Sequence, residues 1–167
     1  MDRPTLKQTL MQVAFVIAQR STCSRRKNGA VVATDKGVVL STGYNGSLSG
    51  MDHCNHECNC RGGLVELLES PFTTEPHTKQ CPAHENNGCN LAVHAEANAV
   101  YFAARNGVPT KGAIMYCTTE PCTKCAEAII QSGIAEVVYS NKYRIRDGVN
   151  LLKAAGITVS REAYDTL

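Results

Sequence analysis

The chain has no tryptophan and little aromatic surface, with three Phe and six Tyr in 167 residues. Proteins that hold single-stranded nucleic acid lay bases on a row of rings, and this sequence has few to offer. It also lacks an excess of one charge. Seventeen basic side chains against fifteen acidic ones leave a formal net charge of +2. Bulk attraction to a polyanion is therefore weak, and nucleic acid is not the expected partner. A small anionic ligand is compatible with the same balance. No apolar run reaches the length that crosses a bilayer. Met1-Asp2-Arg3-Pro4-Thr5 leads into a segment broken by Gln8, Gln12 and Gln19, without the small-residue cleavage pattern of a secretory signal. No membrane association and a cytoplasmic location are expected.

Cysteine, by contrast, is abundant: there are nine. An odd count in a chain of apparently cytosolic character argues against a disulfide framework. Clustering of these thiols with histidines favours metal ligation instead. The length suits one compact domain with a real core.

Thr5 and Gln8 have capping-box spacing ahead of a helix over 5–20, with Leu6, Leu10, Val13 and Ile17 as its apolar face. Residues 29–34 and 38–41 read as strands joined by Asp35-Lys36-Gly37 into an antiparallel hairpin. Gly43-Tyr44-Asn45-Gly46 breaks that pattern and starts a loop. Residues 47–93 show no periodicity beyond a short helix around 62–68. A helix follows over 94–106, offering Ala97, Val100, Tyr101 and Ala104 for burial and closed by Gly107 and Pro109. Next come a strand at 112–118, a helix from Pro121 to about Ser132, a strand at 135–140, a helix near 148–155 and a strand at 157–160. The order is α-β-β-α-β-α-β-α-β. Helical crossovers make the later strands parallel, while the hairpin is antiparallel. The expected fold class is α/β, with helices on both faces of a mixed sheet of about five strands. One domain over 1–167 would carry a Cys/His-rich insertion at about 47–93.

Two short motifs open predicted helices: His94-Ala95-Glu96 and Pro121-Cys122-Thr123-Lys124-Cys125. Helix N-termini present free N–H groups and positive potential, which favour thiolate over thiol. One His and two Cys leave a fourth zinc position for water, the arrangement of a catalytic centre rather than a closed structural one. Glu96 has a separate task beside that water, to take its proton and deliver it to a ring nitrogen and a departing amine. Taken apart, Cys122 and Cys125 also suit a structural half-site or a redox pair, His94 an ordinary cap, and Glu96 a solvated helix position. Taken together they form the His-x-Glu…Pro-Cys-x-x-Cys signature of zinc nucleobase deaminases, which replace an exocyclic amine by a carbonyl. Cys117, on a strand pattern, reads as a buried apolar thiol.

Basic residues gather twice. Arg20, Arg25, Arg26 and Lys27 precede the first strand, and Lys142, Arg144 and Arg146 follow the 135–140 strand. Ligands of parallel α/β sheets lie beyond the carboxyl ends of strands, and the guanidinium fork suits phosphate. The alternative for each residue is a solvated basic surface.

Across most of its length the chain resembles the deoxycytidylate (dCMP) deaminase family, within the cytidine deaminase-like superfamily. The resemblance rests on Asn28-Gly29-Ala30-Val31-Val32, Gly43-Tyr44-Asn45-Gly46, His94 to Ala99, Thr119 to Ala126, and Ser132-Gly133-Ile134. The spacing is similar to that of bacteriophage members in particular, as is Phe102-Ala103-Ala104-Arg105-Asn106-Gly107. It implies a three-layer α/β/α fold and conversion of dCMP to dUMP and ammonia, feeding thymidylate synthesis. It also implies activation by dCTP, inhibition by dTTP, Mg2+ accompanying a nucleotide effector, and a homo-oligomer with a hexamer favoured. For a phage protein the compartment would be the host cytoplasm. By position, Asn45 would contact the deoxyribose or shape the nucleotide site, and Ser24, Arg26 and Tyr143 would lie on the phosphate side. Arg105 would lie at a nucleotide-responsive or subunit-contact surface. One departure stands out: Asn28 occupies a position that is usually Val, which bears on a 5-substituted substrate.

Six cysteines remain besides the catalytic pair and Cys117, and four histidines lie among or near them. A second, structural zinc is the simplest account, since four protein ligands close its sphere. By the same resemblance its ligands would be Cys23, Cys54, His84 and Cys89, with Cys58 or Cys60 as alternatives. Such a metal would pin the insertion to the end of the first helix. Two other readings of the whole chain stay open: a deaminase of a 5-substituted dCMP or another nucleotide, and a non-catalytic zinc-stabilised interaction module. Glu96 argues against the module, because a structural zinc has no use for an unligated carboxylate.

Overall fold

A computed structural model of the chain describes residues 3–23, 26–50 and 92–164. Helix α1 (Leu6–Ala18) leads into strands β1 (Gly29–Ala33) and β2 (Val39–Tyr44). After the insertion come α2 (Ala95–Arg105), β3 (Ile114–Thr119), α3 (Thr123–Gln131), β4 (Glu136–Asn141), α4 (Asp147–Ala154) and β5 (Thr158–Arg161). The element order is the one expected from periodicity. The expected helix at 62–68 lies outside the described residues.

The sheet runs β2-β1-β3-β4-β5. β1 is antiparallel to both β2 and β3, whereas β3–β4 and β4–β5 are parallel. Alternation along the central strands builds two cores. Val31, Ala33, Tyr116 and Val138 face α1, meeting Leu10, Met11 and Ala14. Ala30, Val32, Met115, Cys117, Val137 and Tyr139 face the opposite way, onto Ala95 and Ala99 of α2, Ala126 and Ile129 of α3, and Leu152 of α4. The result is the three-layer α/β/α arrangement around a mixed five-stranded sheet. No helix among the described residues is long and apolar enough to cross a membrane.

The capping box at Thr5 is formed in both directions, Thr5 accepting from Gln8 N–H and Gln8 accepting from Thr5 N–H. The face that α1 buries is rotated from the expected one. Leu10, Met11, Ala14 and Ala18 are buried, whereas Leu6 is exposed. Likewise α2 buries Ala95, Glu96, Ala99 and Ala103 and leaves Tyr101 outside. Large apolar residues mark a helix as amphipathic, but the closest approach to a sheet selects its small ones.

Two boundaries shift for related reasons. β2 does not stop before Gly43 but continues to Tyr44. Gly43 pairs with Ala30, and α2 passes over it so closely that a Cβ there would meet the Ala95 carbonyl and the Ala99 amide. Here glycine is the surface on which a helix rests, not a loop signal. Pro121 lies outside α3 rather than in its first turn, because Cys122 takes the N-cap in extended backbone.

Candidate metal centre and active site

The strand directions bring several termini to one end of the sheet. Because β1 is antiparallel to β3, its first residues lie beside the last residues of β3, with Ala30 opposite Cys117. β2 ends there too, Tyr44 pairing with Gly29. A bridge between Gly46 and Val93 then delivers the start of α2 to the same place. β3 runs directly into Cys122.

His94 and Cys122 are the N-cap residues of α2 and α3, and neither side chain caps its own helix. Both are therefore free to turn towards a shared point. His94 Nδ1 stands 3.4 Å from Cys122 Sγ and 3.3 Å from Cys125 Sγ, and the three donor atoms lie within 4.8 Å of one another. Around a tetrahedral zinc, with Zn–S of about 2.3 Å and Zn–N of about 2.0–2.1 Å, N···S separations come to about 3.5 Å. The donor set and its spacing fit that ion. Among the described residues this is the one such cluster, and it gives one candidate zinc site.

The electrostatics fit as well. The hydrogen bond with Cys125 pulls the Cys122 thiol down to about 4, against burial and helped by His94. The same contact with Cys122, followed by burial, pushes Cys125 up. Hydrogen bonding to Cys122 raises His94, opposed by burial. A bound zinc would hold both sulfurs as thiolates.

Glu96, in the first turn of α2, is buried, and desolvation pushes its carboxyl up while its own backbone N–H pulls it down. Behind it, Cys117 is a free buried thiol raised well above its ordinary value by burial and then by Glu96. The buried thiol expected at Cys117 is found.

Asn45 is buried, and its amide is used within the chain. Its Oδ1 accepts from Asn28 N–H at 2.7 Å and its Nδ2 donates to the Arg26 carbonyl at 2.9 Å. Asn28 in turn accepts from Thr119 Oγ1 at 3.0 Å, and Gly29 N–H donates to Thr118 Oγ1 at 3.1 Å. Asn45 thereby ties residues 26–28 to the segment after β2, while Asn28 and Gly29 tie the same stretch to the end of β3, three residues from Cys122. The Arg26 side chain is exposed. Tyr143, half-buried, donates its N–H to Glu120 Oε2 at 2.7 Å. Arg146, counted among the basic residues beyond β4, faces Glu120 instead. Arg105 lies in the last turn of α2, with its guanidinium 4.5 Å from the Phe102 ring centroid. That is the opposite end of the helix from His94. Cys23 is buried and free, and Ser24, Cys54, His84 and Cys89 lie outside the described residues.

Glu120, within the Thr119 to Ala126 stretch, is a site residue that no sequence expectation assigned a role. Its place directly before Pro121-Cys122 is the signal that could have found it.

A three-layer α/β/α fold with two helix N-termini presenting a His/Cys/Cys triad, beside a buried carboxylate, defines the class of zinc-binding hydrolytic deaminases. Comparison with known proteins agrees. Residues 4–141 match the family described as the cytidine and deoxycytidylate deaminase zinc-binding region. The deoxycytidylate deaminase of Enterobacteria phage T2 is 37% identical over 169 residues, covering 90% of this chain and 89% of the phage protein. ComE operon protein 2 of Bacillus subtilis is 33% identical over 168 residues, covering 100% of this chain and 76% of that protein. The crystal structure of dCMP deaminase from cyanophage S-TIM5 in complex with dCMP and dUMP superposes with a TM-score of 0.72 at 29% identity, covering 97% of this chain and 100% of that one. The chain belongs to the dCMP deaminase family and is a zinc-binding deaminase.

Proposed function

We propose that the protein hydrolytically deaminates dCMP to dUMP and ammonia. The observation that carries this is the His94, Cys122 and Cys125 cluster next to a buried Glu96. Zinc held by those three residues would supply Lewis acidity and a water acidic enough to ionise near neutral pH. Glu96 moves two protons: its carboxylate takes the first from the water and gives it to the ring nitrogen, then takes the second from the hydroxyl added to the ring carbon and gives it to the leaving amine. Burial suits that task, because raising a carboxyl towards neutrality brings its affinity for the proton closer to those of the groups it serves. Asn45 shapes the nucleotide side through its hold on residues 26–28. With Ser24, Arg26 and Tyr143 it forms the proposed substrate contacts. The choice of dCMP is supported by the phage deoxycytidylate deaminases that the chain resembles over nearly its whole length and by the near-balanced charge and sparse aromatic content of the sequence.

Activation by dCTP with Mg2+, inhibition by dTTP, a hexamer contacting through the region of Arg105, and a second zinc on Cys23, Cys54, His84 and Cys89 belong to the same proposal. So do one domain over the whole length, a cytoplasmic place of action and a product destined for thymidylate synthesis. A 5-substituted dCMP is a second reading, favoured by the polar Asn28 hydrogen-bonded to Thr119. One assay tests substrate choice and nucleotide regulation: turnover of dCMP, CMP, deoxycytidine, dCTP and 5-substituted dCMP, with and without dCTP and dTTP. Absence of turnover on every nucleotide, with zinc bound, would leave a non-catalytic zinc module.

A further inference from the structure

Glu120 carries a carboxylate that no step above uses. Its side chain is completely buried. Oε2 accepts the Tyr143 N–H at 2.7 Å. Oε1 has no hydrogen-bond partner and faces the Arg146 guanidinium, with Nε at 3.6 Å. The Tyr139 phenol lies against the same carboxylate. A buried carboxylate left unpaired is costly, so this environment holds its surroundings to it as firmly as they hold it.

The surroundings are the loop that follows β4. Glu120 N–H also donates to the Asn141 carbonyl at 2.9 Å, and Asn141 Nδ2 donates to the Thr118 carbonyl at 3.0 Å. The start of the loop is thus bonded to the end of β3 through backbone and side chain. Its far end is Arg146, the N-cap of α4. Two residues on, Gly148 rests on the Pro121 and Cys122 backbone so tightly that a Cβ would stand 2.8 Å from the Cys122 carbonyl oxygen. One residue therefore touches the beginning, middle and end of the 141–146 loop, and it sits two positions before a metal-ligating cysteine.

We propose that Glu120 is a positioning residue, whose buried carboxylate fixes the 141–146 loop, and with it Tyr143, at a set place relative to Cys122. This rests on the proposed function, in which that loop meets the nucleotide. Arg146 serves the clamp, and Tyr143 is the member of the loop that the clamp carries.

The test uses the full-length zinc-loaded protein with Glu120→Ala and Glu120→Gln. Glu120→Ala should keep zinc at the His94 site and exchange the Tyr143 amide proton at least roughly tenfold faster than wild type. KM for dCMP should rise roughly tenfold while kcat falls less than about threefold, the pattern of lost binding geometry rather than lost chemistry. Glu120→Gln fills the same volume and retains one acceptor, so it should recover much of the Tyr143 protection and part of the KM. Should Glu120→Ala not fold, Glu120→Asp, whose carboxylate stops one methylene short of the Tyr143 N–H, decides by the same readings. A Tyr143 amide as protected as in wild type, or a fall in kcat with KM unchanged, overturns the assignment. If wild-type protein does not turn over dCMP, the proposed function fails, while Tyr143 exchange still decides the role of Glu120.

Discussion

Gly43→Ala is the most demanding test of how this site is built. The added methyl would stand 2.2 Å from the Ala95 carbonyl oxygen and 2.4 Å from the Ala99 amide nitrogen. Ordinary non-bonded contact needs about 3.4 Å, so α2 must retreat from β2 by roughly 1 Å. Neither atom belongs to a flexible side chain that could swing aside. The movement also breaks or stretches the Ser41 Oγ donation to the Ala99 carbonyl, now 2.7 Å. Overpacking of this kind costs about 1–3 kcal/mol, or a Tm loss of about 2–12 °C for a chain of this size. The larger consequence is functional, because α2 carries His94 and Glu96 at its first turn. A displacement of about 1 Å at a reacting centre can lower turnover roughly a hundredfold. Differential scanning fluorimetry and steady-state kinetics on zinc-loaded protein measure both effects. Gly46→Ala is the stability control, since the nearest atom to its new methyl is the Tyr44 ring edge at 4.0 Å. Gly43→Ala with wild-type Tm and kcat within about twofold would refute the claim that helix–strand contact sets the position of the catalytic groups.

Glu96→Gln should keep zinc and lower kcat by about two to four orders of magnitude, as expected for a lost proton carrier; turnover close to wild type by ammonia release would remove Glu96 from that role. Asn45→Ala removes two hydrogen bonds that tie residues 26–28 to the site. It should cost about 1–3 kcal/mol in urea unfolding and raise KM for dCMP. An unchanged midpoint and KM would mean that the tie has no energetic consequence. Cys54→Ser should lower total zinc per chain without abolishing turnover, and metal analysis giving the same content in both proteins rejects Cys54 as a ligand.

The element order was legible because it follows from local chemistry. The Thr5 box, the Asp35-Lys36-Gly37 turn and the Gly107 stop each act within a few residues of where they are written. The ligands were legible for the same reason. His-x-Glu and Cys-x-x-Cys keep their spacing whatever surrounds them, and both fall at helix starts. Less accessible was anything decided by which surfaces meet. α2 exposes Tyr101 and buries Ala99 because the helix lies close on Gly43, and no feature within the helix announces that. Arg146 looked like a phosphate ligand by position, yet faces a buried Glu120 from the end of another strand. Asn45, expected to contact the deoxyribose or shape the nucleotide site, has both ends of its amide engaged on residues 26–28, partners that no spacing announces.

What the sequence alone determined is the chemistry on offer: one imidazole, two thiols and a nearby carboxylate, on helices separated by strands. Tertiary structure decided how those groups are used. β1 runs against β3, so its start, the end of β2 and the N-termini of α2 and α3 reach one end of the sheet. Only there do His94 and the two cysteines come within bonding reach of a single ion. Only inside the packed layer does Glu96 lose its water and have its proton affinity raised. Spacing is a property of the chain, whereas convergence and desolvation are properties of packed surfaces.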